Sequence, residues 1–180
     1  THCISSAASD VYKRQVCSSA GNHAQGVAYA CNYHNIHGTI FMPSPTPSQK
    51  VSQVSMFGGK NITIKIVGDI YDDSYEASLV YSKKHKKTFI HPFDDEDVII
   101  GQGTMALEIL NQSFFPIDYL LVPIGGGGLI SGMINVFKQK SPKTRIIGIE
   151  PKGAPSMYES MRQNKRITLD RIDNFVDGAA

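Results

Sequence analysis

At 180 residues with 41% hydrophobic side chains, the chain can build one large domain or two small ones around a real core. A net charge of +2 carried by scattered lysines, with no interleaved aromatic-basic stripe, argues against a nucleic-acid partner. Cys3, Cys17 and Cys31 make neither a metal spacing nor an even disulfide framework, and no run of about 18 apolar residues is present. A globular protein of a reducing, cytoplasmic compartment with no membrane partner is expected.

Residues 1–15 show no hydrophobic period and end in Asp10-Val-Tyr-Lys-Arg-Gln15, which looks like a translated cloning adaptor. They are set aside as a non-native leader. From Val16 the chain enters in mid-motif. Cys17-Ser-Ser-Ala-Gly-Asn-His-Ala-Gln-Gly26 reads as a small polar loop opening a helix at about Asn22. Its N–H groups and the positive end of that helix suit an anion, here a carboxylate, with Asn22 and His23 adding side-chain donors. The plainer alternative is an ordinary helix cap. Cys17 has no basic partner in view and reads as a packed thiol rather than a nucleophile.

The span 38–43 predicts a strand, and a proline-rich turn leads to a helix over 48–57 that Gly58-Gly59 closes. The span 61–67 alternates as a strand. An amphipathic helix follows over 71–86, with Tyr75, Leu79 and Val80 inward and the lysines outward, and 87–91 is a further strand. The cluster Lys83-Lys84-His85-Lys86-Lys87 suits the solvated C-terminal end of that helix. Strands alternating with helices at this spacing describe βαβ units and a parallel sheet.

Residues 92–97 are acidic and loop-like, without the ligand spacing of a calcium loop. They form the expected domain junction, between a small α/β domain over 16–95 that carries the carboxylate loop and part of a larger α/β domain over 96–180. Gly101-Gln-Gly-Thr104 is expected to open a helix over 105–112. The apolar run 119–124 predicts a strand buried on both faces.

Gly125, Gly126, Gly127 and Gly128 follow that strand and precede a helix starting near Leu129. Without Cβ atoms they can turn several N–H groups toward one point, and the helix start adds its own unpaired donors. Such a loop is expected to hold a phosphate; the plainer alternative is a tight βα turn, but four ordered glycines in a row cost more than a mere turn needs. No Lys-Ser/Thr pair closes it as a P-loop requires, and the dinucleotide pattern Gly-x-Gly-x-x-Gly fails because Ile130 and Ser131 occupy its third position. The phosphate therefore belongs to another cofactor. A strand over 143–150 and a helix over 154–163 complete the pattern.

Ser19-Ala-Gly-Asn-His-Ala-Gln-Gly26, Gly101-Gln-Gly-Thr104, Pro123-Ile-Gly-Gly-Gly-Gly-Leu129 and Gly148-Ile-Glu-Pro151, in this order, resemble the fold-type II pyridoxal-phosphate enzymes, nearest to their threonine dehydratase branch. The resemblance runs from about Val16 to Ala180. It implies a tryptophan synthase beta-like α/β fold of open parallel sheets with flanking helices, truncated at both ends in this chain, and a homo-oligomer when full length. The implied cofactor is pyridoxal 5'-phosphate, its phosphate held by Gly125, Gly126, Gly127, Gly128 and Leu129 and its ring hydroxyl by Asn22. Ser19, Ala20, Gly21 and His23 would surround the carboxylate of the amino-acid substrate. The implied reaction converts L-threonine to 2-oxobutanoate and ammonia for isoleucine synthesis. The alternatives are a serine dehydratase or racemase, or a non-catalytic module that binds the same ligands.

Two departures accompany the resemblance. Lys13 stands six residues before Ser19, too close for the strand and helix that separate the family's Schiff-base lysine from this loop, so no catalytic residue is assigned. Relatives such as serine racemase hold a divalent cation with a Glu at the position of Glu150 and an Asp six residues later, where this chain has Ser156. No metal site is assigned, and Glu150 is expected to anchor a strand end or loop.

Overall fold

The computed structural model describes residues 14–169, 171–173 and 176; Cys3, Lys13 and the leader through residue 13 lie outside them. The chain divides into two compact units, one ending at Asp95 and the other starting at Glu96.

The first unit is built on four parallel strands, β1 (Gln15–Ser18), β2 (Gly38–Met42), β3 (Ile62–Ile66) and β4 (Thr88–Phe89), in the spatial order β3-β2-β1-β4. β1 pairs with β2 from Gln15↔Gly38 to Ser18↔Phe41, and with β4 at Gln15↔Thr88 and Val16↔Phe89. Gln15 thus belongs to the sheet, not to the leader. β1 is the strand the sequence does not announce, since four residues are too few for a period to show.

Helices α1 (Asn22–Tyr33), α2 (Ser48–Gly58) and α3 (Tyr71–Lys84) join the strands. α2 ends as expected, with Gly59 at φ +51. One core gathers Cys17, Ile40 and Met42 from the sheet with Ala24, Val27, Ala28 and Cys31 of α1 and Val54 of α2. Burial holds both thiols protonated, the Cys31 thiol pushed up to about 11 and that of Cys17 further still. The reading of Cys17 as a packed thiol stands.

α3 corrects its predicted orientation. Its buried stripe is Ser74, Ser78 and Ser82, while Val80 is 66% exposed. The reason is local. The Ser74 and Ser78 hydroxyls donate to the Tyr71 and Tyr75 carbonyls at 2.8 and 2.6 Å, so small side chains satisfy themselves and let the helix lie close to the sheet. Ser18 Oγ meets Ser74 Oγ at 2.9 Å on that face.

In the second unit, β5 (Tyr119–Pro123) and β6 (Arg145–Ile149) pair in parallel, and α4 (Glu96–Gln112), α5 (Gly128–Lys140) and α6 (Ser156–Gln163) complete the elements. The core joins Val122 of β5 to Ala106 of α4 and Met133 and Phe137 of α5.

Two expectations change here. β5 is not buried on both faces: Val122 is buried, but Tyr119 and Leu121 on the opposite face are 55% and 60% exposed, as are Ile147 and Ile149 of β6 at 44% and 46%. Within this unit α4 and α5 cover the face of Val122, and alternation sends the other residues to the open side. α4 also starts earlier than expected, at Glu96, and runs through Gly101-Gln-Gly-Thr104. Glu96 and Asp97 suit the positive start of the helix. The glycines let α4 approach α5: a Cβ at Gly103 would stand 3.3 Å from the Gly132 carbonyl oxygen.

Candidate functional site

Ser19, Ala20 and Gly21 form the β1–α1 connection, and Asn22 and His23 open α1. The Ser19 N–H donates to the Phe41 carbonyl at 3.1 Å, extending the parallel pairing past the strand and fixing where the loop leaves the sheet. Ser19 Oγ accepts the Gly21 N–H at 3.1 Å, which leaves the Ser19 hydroxyl proton to point elsewhere. Gly21 is therefore a spacer more than a donor; a Cβ there would meet nothing within 4 Å.

Gly21 caps α1 with no side chain, and the first turn of α1 carries no acidic residue. The first intrahelical bond runs from Gln25 N–H to the Gly21 carbonyl at 3.3 Å. Ahead of it, the N–H groups of Asn22, His23 and Ala24 have no place in the helix ladder. Asn22 is exposed.

His23 behaves differently from its expected role as a side-chain donor to the carboxylate. Its Nε2 lies 3.2 Å from the Ile90 carbonyl. A carbonyl can only accept, so Nε2 carries the proton. Burial, the largest cause, pushes the imidazole down to about 4, with His91 acting in the same direction and the Ile90 carbonyl opposing. The neutral ring then has a lone pair at Nδ1, which cannot donate to a carboxylate. What His23 offers an anion is its backbone N–H.

This sets a pH prediction. The folded-state value lies below the ordinary 6.5, so the unfolded chain binds a proton that the folded chain refuses between these values. His23 leaves stability unchanged above about pH 6.5, and stability falls as the pH drops toward about 4. The urea midpoint of the protein should decline across this window, and His23→Gln should flatten the decline. An equal slope in the variant would remove His23 as its source.

In the second unit, Gly125, Gly126, Gly127, Gly128 and Leu129 lie together between β5 and α5. The Ile124 N–H donates to the Ile149 carbonyl at 2.8 Å, holding the residue before the glycines to the end of β6. Among the four glycines, Gly127 takes the left-handed conformation, φ +90 and ψ −8, and serves as the N-cap of α5. Gly126 is exposed, and Leu129 packs into the core and anchors the helix start. The Ser131 N–H returns to the Gly127 carbonyl at 3.0 Å, so the N–H groups of Gly128, Leu129 and Ile130 lie ahead of the ladder.

The other helix starts sharpen the contrast. α3 has Asp72 and Asp73 in its first turn, and Asp73 Oδ2 accepts the N–H groups of Asp69 and Ile70 at 2.9 and 3.3 Å. α4 has Glu96 and Asp97. The start of α6 is held by Glu150, whose Oε1 accepts the Met157 N–H at 2.8 Å and whose Oε2 accepts the Tyr158 N–H at 2.7 Å. α1 and α5 have no carboxylate at their starts; α2, opening after Pro47, shares that lack but has no glycine loop. An anion is favoured where a helix start and a loop of small residues leave donors uncommitted.

Glu150 fills the anchoring role expected of it, with both oxygens engaged by α6. Among the described residues no group of three or more His, Cys, Asp and Glu is placed to hold a metal ion, and no helix is long and apolar enough to cross a membrane. Met157 was not singled out from the sequence. Its terminal methyl lies 3.1 Å from where a Cβ would stand on Gly127. A methionine early in a helix gives no local signal of such a contact.

Comparison with known proteins identifies the family and the fold. The sequence model of the family described as Pyridoxal-phosphate dependent enzyme matches residues 1–180. The chain is 56% identical over 165 residues to the biosynthetic L-threonine dehydratase IlvA of Halalkalibacterium halodurans, covering 92% of this chain and 40% of that protein. It is 53% identical over 165 residues to its counterpart in Bacillus subtilis, covering 92% and 39%. The chain thus spans about 40% of the length of the curated relatives it matches. Among solved structures, the processed form of threonine deaminase isoform 2 from Solanum lycopersicum superposes with a TM-score of 0.89 at 39% identity, covering 99% of this chain and 49% of that one. Maize serine racemase superposes with a TM-score of 0.80 at 37% identity, covering 88% and 47%.

Proposed function

Because the chain belongs to the family of pyridoxal-phosphate-dependent enzymes, we propose that it serves the deamination of L-threonine to 2-oxobutanoate and ammonia, a step of isoleucine biosynthesis. The observation that carries this reading is the start of α5, where Gly127 is left-handed and neither a capping side chain nor an acidic residue competes for the N–H groups. That donor set fits a phosphate dianion, so Gly125, Gly126, Gly127, Gly128 and Leu129 would hold the phosphate of pyridoxal 5'-phosphate through backbone N–H groups. When bound, the cofactor's ring supplies the electron sink for loss of the substrate's α-proton and β-hydroxyl.

The chain's own part is to bind and orient. The Ser19 hydroxyl and the N–H groups of Asn22 and His23 would take the substrate carboxylate, with Ala20 and Gly21 leaving room for it. The Asn22 amide would meet the ring hydroxyl. His23, neutral and tied to Ile90, keeps a positive charge away from the carboxylate loop and stiffens the first turn of α1. A cytoplasmic location and a homo-oligomeric full-length protein belong to the same proposal.

Threonine is preferred over serine as substrate because the relatives at 56% and 53% identity are named biosynthetic L-threonine dehydratase. One methyl group in an apolar pocket discriminates by about 10- to 200-fold. The test is a chimera in which residues 16–169 of this chain replace the matched segment of the Bacillus subtilis relative. It should release 2-oxobutanoate from L-threonine with a kcat/KM about tenfold or more above that for L-serine. A folded chimera that binds no pyridoxal 5'-phosphate, or that prefers serine, would refute the assignment.

A further inference from the structure

We infer that Glu150 is a positioning residue for the glycine loop: by capping α6 it holds Met157 over Gly127 and so sets the direction of the loop's N–H groups. This goes beyond the phosphate-loop reading and rests on it.

The local chemistry explains why a distant carboxylate is needed. The N-cap of α6 is Pro155, which has no side-chain acceptor, and α6 has no side-chain cap of its own. The orphan N–H groups of its first turn must find another acceptor. Glu150 supplies it, with Oε1 2.8 Å from the Met157 nitrogen and Oε2 2.7 Å from the Tyr158 nitrogen. The Ser156 hydroxyl stands 3.5 Å from Oε1. Charge-assisted bonds at both oxygens fix the first turn of α6 in rotation as well as position.

That turn carries Met157, which is half-buried. Its terminal methyl occupies the space over Gly127, 3.1 Å from the place of an absent Cβ. A left-handed glycine has broad freedom unless something confines it. Met157 confines it from one side. From the other, the Ile124 N–H is bonded to the Ile149 carbonyl, directly before Glu150 in the chain. The glycine loop is therefore held at both ends by one short stretch, Ile149 at its entrance and Glu150, through Met157, at its exit.

The experiment uses pyridoxine 5'-phosphate and pyridoxine as probes. Neither carries an aldehyde, so neither reacts with lysines, and the ratio of their affinities isolates the phosphate contribution. Both are titrated by calorimetry into the 180-residue chain and its variants, with inorganic phosphate as a competitor. Glu150→Ala should lower the affinity ratio about tenfold, in line with the loss of a helix cap, and leave pyridoxine affinity unchanged. Glu150→Gln, which keeps one acceptor oxygen, should fall between. Met157→Ala leaves the cap intact and should also lower the ratio, with the double variant no worse than Glu150→Ala.

An unchanged ratio in folded Glu150→Ala would overturn the inference. If Glu150→Ala does not fold, Met157→Ala decides, and an unchanged ratio there overturns it equally. A wild-type chain that binds pyridoxine 5'-phosphate no more tightly than pyridoxine would instead sink the phosphate-loop reading itself.

Discussion

Gly127→Ala is expected to lower the affinity for pyridoxine 5'-phosphate about tenfold or more while leaving the chain folded and pyridoxine binding unchanged. Gly127 sits at φ +90 at the N-cap of α5. An L-residue there costs about 1 to 2 kcal/mol, close to a factor of ten in affinity. The added methyl would also press on Met157 at 3.1 Å. The terminal methyl of Met157 need move only by about a few tenths of an ångström, so global stability should suffer little. The backbone has an easier escape, rotation of residue 127 to negative φ. That rotation turns the peptide leading into Gly128 and takes its N–H away from the ligand. Calorimetric titration with the two pyridoxine probes checks this, and wild-type affinity in the variant would remove Gly127 from the binding loop.

Gly132→Ala should destabilise the second unit by about 3 kcal/mol, the upper end of ordinary overpacking. A Cβ at this position would lie 2.5 Å from the Ile99 carbonyl oxygen, 2.6 Å from the Gly103 nitrogen and 2.9 Å from the Gln102 carbonyl carbon. All three are backbone atoms of α4, so no rotamer change relieves the collision and the two helices must separate. Gly103→Ala should cost less, since its Cβ would stand 3.3 Å from the Gly132 carbonyl oxygen and from Val136 Cγ2. Urea unfolding of both variants gives the comparison. Equal losses would mean that the crossing of α4 and α5 does not close on Gly132. Because α5 carries the glycine loop at its start, phosphate affinity should fall in Gly132→Ala along with stability.

Most elements are legible without coordinates. The helix of the first loop begins at Asn22 as expected, α2 and its glycine cap fall where the turn chemistry puts them, and β2, β3 and β5 match their runs within a residue or two. These are strong local signals: proline and glycine set backbone conformation directly, and alternation shows once a strand reaches five residues. β1 escapes because its four residues sit inside a motif that reads as loop. Gly101 and Gly103 mislead for a different reason. A glycine in a sequence suggests a helix end, yet here the glycines sit inside α4 because α5 passes close by.

The alternation of strands and helices, the glycine loop ahead of α5 and the small polar loop ahead of α1 are all written in neighbouring residues and can be read from the chain alone. Tertiary structure alone decided that serines rather than Val80 face the sheet from α3, that the proton of His23 is committed to Ile90, and that Glu150 reaches α6 to seat Met157 over Gly127. Each of these depends on which group stands across a gap of a few ångströms. Residues adjacent in space but distant along the chain leave no periodic trace in it.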